Sequence, residues 1–154
     1  MSTGREPDGP DVEAGVRAML LLMPRLVGRA KRTPPPASLA GFALAPRHLS
    51  LLAYLLFDGP MPVRALAERL EVAPTTVSLM VGDLSRQGIL ERREDEADRR
   101  RTIVAIAPEH HDGISGWLAK GADAWRAALD PLSPSERRMF IETLRRYEEA
   151  ARES

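Results

Sequence analysis

The chain has no cysteine among its 154 residues. That excludes a disulfide framework, a thiolate metal site and a cysteine peroxide switch. It has no net charge either, with 22 basic residues against 22 acidic ones. It therefore cannot coat nucleic acid through bulk positive charge, and any grip on a polyanion has to come from placement. Lysine is nearly missing: only Lys31 and Lys120 occur, and the other basic side chains are arginine. Arginine's planar fork suits phosphates and guanine edges, although codon bias in a GC-rich genome gives the same composition. No apolar run approaches the ~18 residues that span a bilayer. Residues 1–10 are polar and hold no apolar signal segment, so a soluble, cytoplasmic protein is expected. There is no glycine-rich phosphate cradle, and the serines and histidines show no recognised pairing motif. Neither enzymatic activity nor a cofactor is expected.

What is present reads as one folding unit, long enough to bury a real core. Residues 1–10 are rich in Gly, Pro, Asp and Glu without periodicity, the composition of a mobile tail. From Asp11 the apolar positions Val12, Val16, Met19, Leu20, Met23, Leu26 and Val27 recur at three and four, which predicts an amphipathic helix, kinked at Pro24. Thr33-Pro34-Pro35-Pro36 ends it. A largely buried helix follows from Pro46 to Phe57, stopped by Asp58-Gly59-Pro60. Pro62 opens a helix with Val63, Leu66, Ala67 and Leu70 on one face, and after a tight Glu71-Val72-Ala73 connection Pro74 opens another, with Val77, Met80, Val81 and Leu84 facing inward and Gly88 capping its end.

Ile89 and Leu90 begin a strand, and the β-branched run Thr102 to Ala107 makes a second, with residues 94–101 as the hairpin tip. A continuous charged helix over residues 91–101 is the alternative, disfavoured by the β-branched run behind it. Ile114, Trp117, Leu118, Trp125 and Leu129 then predict a long helix weakened by Gly113, Gly116 and Gly121. Ser133-Pro134-Ser135-Glu136 is a capping box with proline at the first helical position, opening a last helix whose apolar face holds Phe140, Leu144 and Tyr147. The fold class is mainly α with a small β-hairpin wing, an α+β arrangement. A helix followed by an arginine-tipped hairpin is how a winged helix-turn-helix sets one element in the major groove and another beside it.

In order and in residues, the chain resembles the MarR family of bacterial transcriptional regulators from about Asp11 onward. The most specific segments are Val63-Arg64-Ala65-Leu66-Ala67-Glu68-Arg69-Leu70, Thr76-Val77-Ser78 and Asp98-Arg99-Arg100-Arg101-Thr102-Ile103-Val104. The resemblance implies a homodimer bound to double-stranded DNA at a pseudo-palindromic operator. It divides the chain into a tail (1–10), an N-terminal dimerisation helix and linker (11–45), a winged helix-turn-helix (46–108) and C-terminal dimerisation helices (109–154). It makes residues 73–87 the recognition helix, with Pro74, Thr75, Thr76, Ser78 and Arg86 as DNA contacts; Arg99, Arg100 and Arg101 become wing contacts, with Asp98 fixing one arginine by a short charge-assisted bond. The competing account of the wing is a solvated salt-bridge lattice, because Arg92, Arg93 and these three arginines face Glu91, Glu94, Asp95, Glu96 and Asp98. Where many relatives carry a serine, Ala73 cannot cap the helix, a loss of ~1 kcal/mol. Leu79 and Gly82 stand where relatives often carry polar groups, which keeps a protein-association role open.

Family members commonly bind a small aromatic or phenolic effector between the dimerisation helices and the winged region. The residues placed to line such a crevice here are Met23, Phe42, His48, Leu52 and Trp117, each of a type that also fills cores. His48, His110 and His111 with Glu109 and Asp112 raise a metal-responsive alternative, but no spacing of three or four joins two of the histidines. No metal site is expected.

Overall fold

Proline marks where the helices begin. In a computed structural model describing residues 9–154, helices α2 (Pro46–Asp58), α4 (Pro74–Arg86) and α6 (Pro134–Arg152) each carry it in the first turn, and α3 (Val63–Leu70) follows Pro62 directly. Proline's fixed φ and missing donor suit a position whose N–H has no intrahelical acceptor. The remaining helices are α1 (Val12–Lys31) and α5 (His111–Leu129), and single 3₁₀ turns occupy Ala37–Leu39 and Pro108–His110. Of the tail expected over residues 1–10, only Gly9 and Pro10 fall within the described residues. Helix α1 is capped by Asp11, whose carboxylate accepts the N–H of Ala14 at 2.8 Å, and it runs on through Pro24 without ending there.

Strands β1 (Leu90–Glu94) and β2 (Thr102–Ile106) form an antiparallel hairpin in which Leu90 faces Ile106 and Glu94 faces Thr102. The charged helix considered for residues 91–101 is thus overturned: alternation of Ile103, Val104 and Ala105 across a pleated surface outweighs the helix propensity of the charged residues. Met61 adds a rung, exchanging both backbone hydrogen bonds with Val104 at 3.2 and 2.8 Å, so the turn before α3 is stitched to the outer side of β2. The connection from α4 into β1 is a Schellman ending: Gly88 takes φ +80°, its N–H reaches the Ser85 carbonyl, and the Ile89 N–H reaches that of Leu84 at 3.0 Å. The turn between α3 and α4 relies on a left-handed residue with a side chain, Glu71 at φ 57°, whose carboxylate pairs with Arg152 near the end of α6.

One core gathers these pieces. Leu51, Leu52 and Leu55 from α2, Leu66 from α3, Val77, Val81 and Leu84 from α4, and Ile89, Leu90 and Val104 from the hairpin are buried together. Each such side chain contributes about 1.5–3 kcal/mol when withdrawn from water. The core also takes in Leu39, from before α2, and Ile114 and Trp117, from the first half of α5. It therefore reaches beyond residues 46–108 on both sides. Helices α1 and α6 bury no residue, and their apolar stripes stand in the open: Leu20 is 71% exposed and Tyr147 66%.

Candidate nucleic-acid interface

Helix α4 is held by one face. Val77, Val81 and Leu84 are wholly buried, while Pro74, Thr75, Thr76 and Ser78 are exposed on the opening turns. Ala73 makes no side-chain cap. At 3.6 residues per turn, Thr75, Leu79, Gly82 and Arg86 fall on one ridge within about 40° of the direction opposite Val77. Arg86 ends that ridge with its guanidinium paired to Asp83 one turn back. A second attachment fixes the far end of the helix: the Gln87 side chain accepts the N–H of Ala43 at 2.7 Å and donates to the same residue's carbonyl at 3.3 Å. Nothing in the local sequence signals this clasp, because its partners are 44 residues apart.

The wing tip is shaped by two aspartates bonding their own loop. Asp95 accepts the Ala97 N–H at 3.0 Å and Asp98 accepts the Arg100 N–H at 3.1 Å; the backbones of Asp95 and Arg101 close the loop at 3.0 Å. Aspartate does this because its short acceptor reaches the amide two residues on. Asp98 does meet an arginine, through Arg100 Nε at 3.4 Å, but that is longer than the charge-assisted bond expected, and its shorter bond goes to backbone. The salt-bridge lattice is sparse. Among the described residues the hairpin's ion pairs are Arg93–Glu91 at 3.7 Å and Arg100–Asp98 at 3.4 Å. Arg99 and Arg101 are exposed and have no carboxylate within pairing distance among the described residues. Hydroxyls on the outward turns of α4 and free guanidinium groups on a protruding hairpin are donors suited to phosphates and base edges.

Among the described residues, the five assigned to an effector crevice are dispersed over different parts of the fold. Leu52 and Trp117 belong to the core, where the packing of α2 against α5 uses them fully, and the Trp117 indole N–H donates to the Thr33 carbonyl at 3.3 Å. Phe42 packs edge-on against His110, ring centres 4.8 Å apart. Met23 is half-buried on α1. Only His48 of the five lines the cavity beside α4, about 420 Å³, which Ala43, Arg47, Asp83, Arg86 and Gln87 also line. His48 is 3% exposed; its Nδ1 accepts the Ala45 N–H at 3.0 Å, and its Nε2 has no partner among the described residues. Burial pushes its pKa below the ordinary histidine value, Arg47 adds to the effect and Asp83 opposes it. No three metal-ligating side chains come together among the described residues, so His48, His110 and His111 share no site there.

Residues 44–101 match the MarR family model, the stretch that runs from the loop before α2 to the end of the wing tip. The HTH-type transcriptional repressor MdtR of Bacillus subtilis is 33% identical over 66 residues, a stretch spanning 43% of this chain and 43% of that repressor. Among solved structures, the PcaV transcriptional regulator of Streptomyces coelicolor in complex with its natural ligand superposes with a TM-score of 0.63 at 19% identity, over 94% of this chain and 99% of that one. The MepR–DNA complex of S. aureus gives 0.62 at 19% identity, over 85% of this chain and 96% of that one. At those identities the likeness is one of fold.

Proposed function

We propose that the chain is a MarR-type transcriptional repressor, like the family whose model its residues 44–101 match and the repressor it resembles over 66 residues; it binds a pseudo-palindromic operator as a homodimer, in the cytoplasm, and releases it on binding a small-molecule effector. The observation that carries the reading is the joint presentation, on one winged helix-turn-helix, of Thr75, Thr76 and Ser78 on α4 and of the exposed Arg99 and Arg101 on the wing. The hydroxyls and α4 meet base edges and phosphates in the major groove; the wing arginines reach the adjacent minor groove and backbone. With no net charge on the chain, DNA affinity rests on those few placed arginines. The repressor relative and the DNA-bound neighbour support this direction.

What the fold leaves uncovered supports the proposed dimer. Val16, Leu20 and Val27 on one face of α1 and Phe140, Leu144 and Tyr147 on one face of α6 are exposed apolar stripes of the kind that marks an interaction surface. Pairing two copies through these helices buries them and holds two reading heads one DNA turn apart, as a two-fold operator requires. The effector's place is the cavity beside α4. There the neutral His48 donates through Nε2, because Nδ1 is occupied as an acceptor, and Arg47 supplies positive charge. A ligand seated against Asp83, Arg86 and Gln87 touches the reading helix itself, and it shifts DNA affinity by its preference for one pose of that helix.

The test is a mobility shift on genomic fragments flanking the gene, with light scattering on the free protein. A dimer forming a nanomolar, salt-sensitive complex on one fragment supports the reading. A monomer, or binding that does not discriminate among fragments, overturns it.

A further inference from the structure

Leu79 contributes nothing to the fold it sits in. The packing of α4 is done by Val77, Val81 and Leu84, and Leu79 projects the other way, 71% exposed at the middle of the outward ridge. Its neighbours one turn away on that surface are Thr75, Thr76, Gly82 and Asp83, so it is a lone apolar group within a polar rim. An isolated leucine is too small for a protein-docking patch, which needs contiguous apolar area. Its flank on the far side is low, because Gly82 raises no side chain above the helix. Positive charge stands on the same ridge at Arg86, two turns further on and paired to Asp83. The occupant that fits one exposed branched alkyl group on such a helix is the single apolar feature of the major-groove edge, the C5 methyl of thymine.

We infer that Leu79 is a specificity-determining residue that selects thymine at one position of each operator half-site by packing on its methyl group. The inference rests on the DNA-binding reading above and deepens it. Thr75 and Thr76 on the preceding turn supply hydroxyls that bond to phosphate or to any base edge, and they discriminate weakly. Leu79 discriminates by shape: cytosine offers only hydrogen at the equivalent carbon, and a purine in that place presents polar atoms that a leucine leaves unpaired.

The experiment selects duplexes from a randomised pool with the full-length protein. Each thymine of the best duplex is then replaced in turn by deoxyuridine, which removes the methyl and keeps every hydrogen-bonding group. One thymine per half-site is expected to be sensitive, its replacement weakening the wild-type complex roughly fourfold, the scale of one methyl lost from an apolar contact. The same replacement is expected to leave the Leu79→Ala complex unchanged. That variant keeps the fold, because the side chain is exposed and alanine is the stronger helix former, and circular dichroism checks it. Wild-type protein that binds every deoxyuridine duplex as tightly as its thymine parent overturns the inference and leaves DNA binding standing. Enrichment of no duplex at all overturns the DNA-binding reading, and the role of Leu79 with it.

Discussion

The imidazole Nδ1 of His48 accepts the backbone N–H of Ala45 at 3.0 Å, so a side chain in the first turn of α2 caps its own helix. A ring nitrogen can accept only while it is unprotonated. Protonating His48 removes the cap and sets a cation among buried neighbours, with Arg47 repelling it and Asp83 alone compensating. Because the folded-state pKa is lowered, the unfolded chain binds the proton more readily. The stability held by His48 is whole above the unfolded value of about 6.5 and is lost as pH falls from there toward the folded value. We expect the melting temperature to drop between pH 7.5 and 5.5 in the wild type. The drop shrinks in His48→Gln, whose amide oxygen can still cap and does not titrate. An undiminished drop in the variant assigns the acid sensitivity elsewhere.

The wing arginines carry a prediction that separates function from ornament. Replacing Arg99, Arg100 and Arg101 together by alanine is expected to abolish the DNA complex and leave the dimer intact. Singly, each phosphate-contacting arginine lost lowers the slope of log affinity against log salt by about 1. Arg99 and Arg101 are the ones expected to show it most, since Arg100 already leans on Asp98. Mobility shifts over a salt series read this directly, and an unchanged slope in the triple variant refutes the wing contact.

How far the sequence disclosed this molecule depends on the range over which each interaction acts. Pro62, Pro74 and Ser133-Pro134-Ser135-Glu136 announce helix starts through backbone chemistry confined to four residues, and the helices begin there. The β-branched run from Thr102 becomes β2 for the same local reason. The outward turns of α4 and the wing tip were legible because motif and exposure coincide. Side chains whose partners lie far along the chain were not. The Gln87–Ala43 clasp and the Met61–Val104 rung join segments more than forty residues apart, and neither residue type hints at it. In the sequence Leu52 and Trp117 suit a crevice as well as a core, because an apolar side chain on a helix looks the same whether a ligand or another helix covers it. By residue type His48 suits a metal or a crevice equally, and its capping bond is invisible without the turn geometry at Ala45.

Leu52 therefore has a consequence opposite to that of a ligand contact. It is fully buried between α2 and its neighbours, so Leu52→Ala is expected to destabilise the protein by about 2–5 kcal/mol through lost burial and a residual cavity. Denaturant unfolding gives the value. A change below about 1 kcal/mol would mean that the site collapses or was never closely packed.

The exposed stripe on α1 makes the sharpest test of assembly. Leu20 is 71% exposed, one of several apolar side chains on a helix that buries none. A carboxylate there leaves the winged helix-turn-helix core untouched, since no member of that core comes from α1. In the proposed dimer the same carboxylate would be trapped between apolar surfaces, and each copy would bring its own, so the penalty would be counted twice across the two-fold axis. Leu20→Glu is thus expected to yield folded monomer, with the wild-type circular dichroism spectrum, half the mass by light scattering, and DNA affinity reduced to that of a single reading head. A variant that remains dimeric places the interface away from this face of α1, and the search then moves to Met139 and Tyr147 on α6.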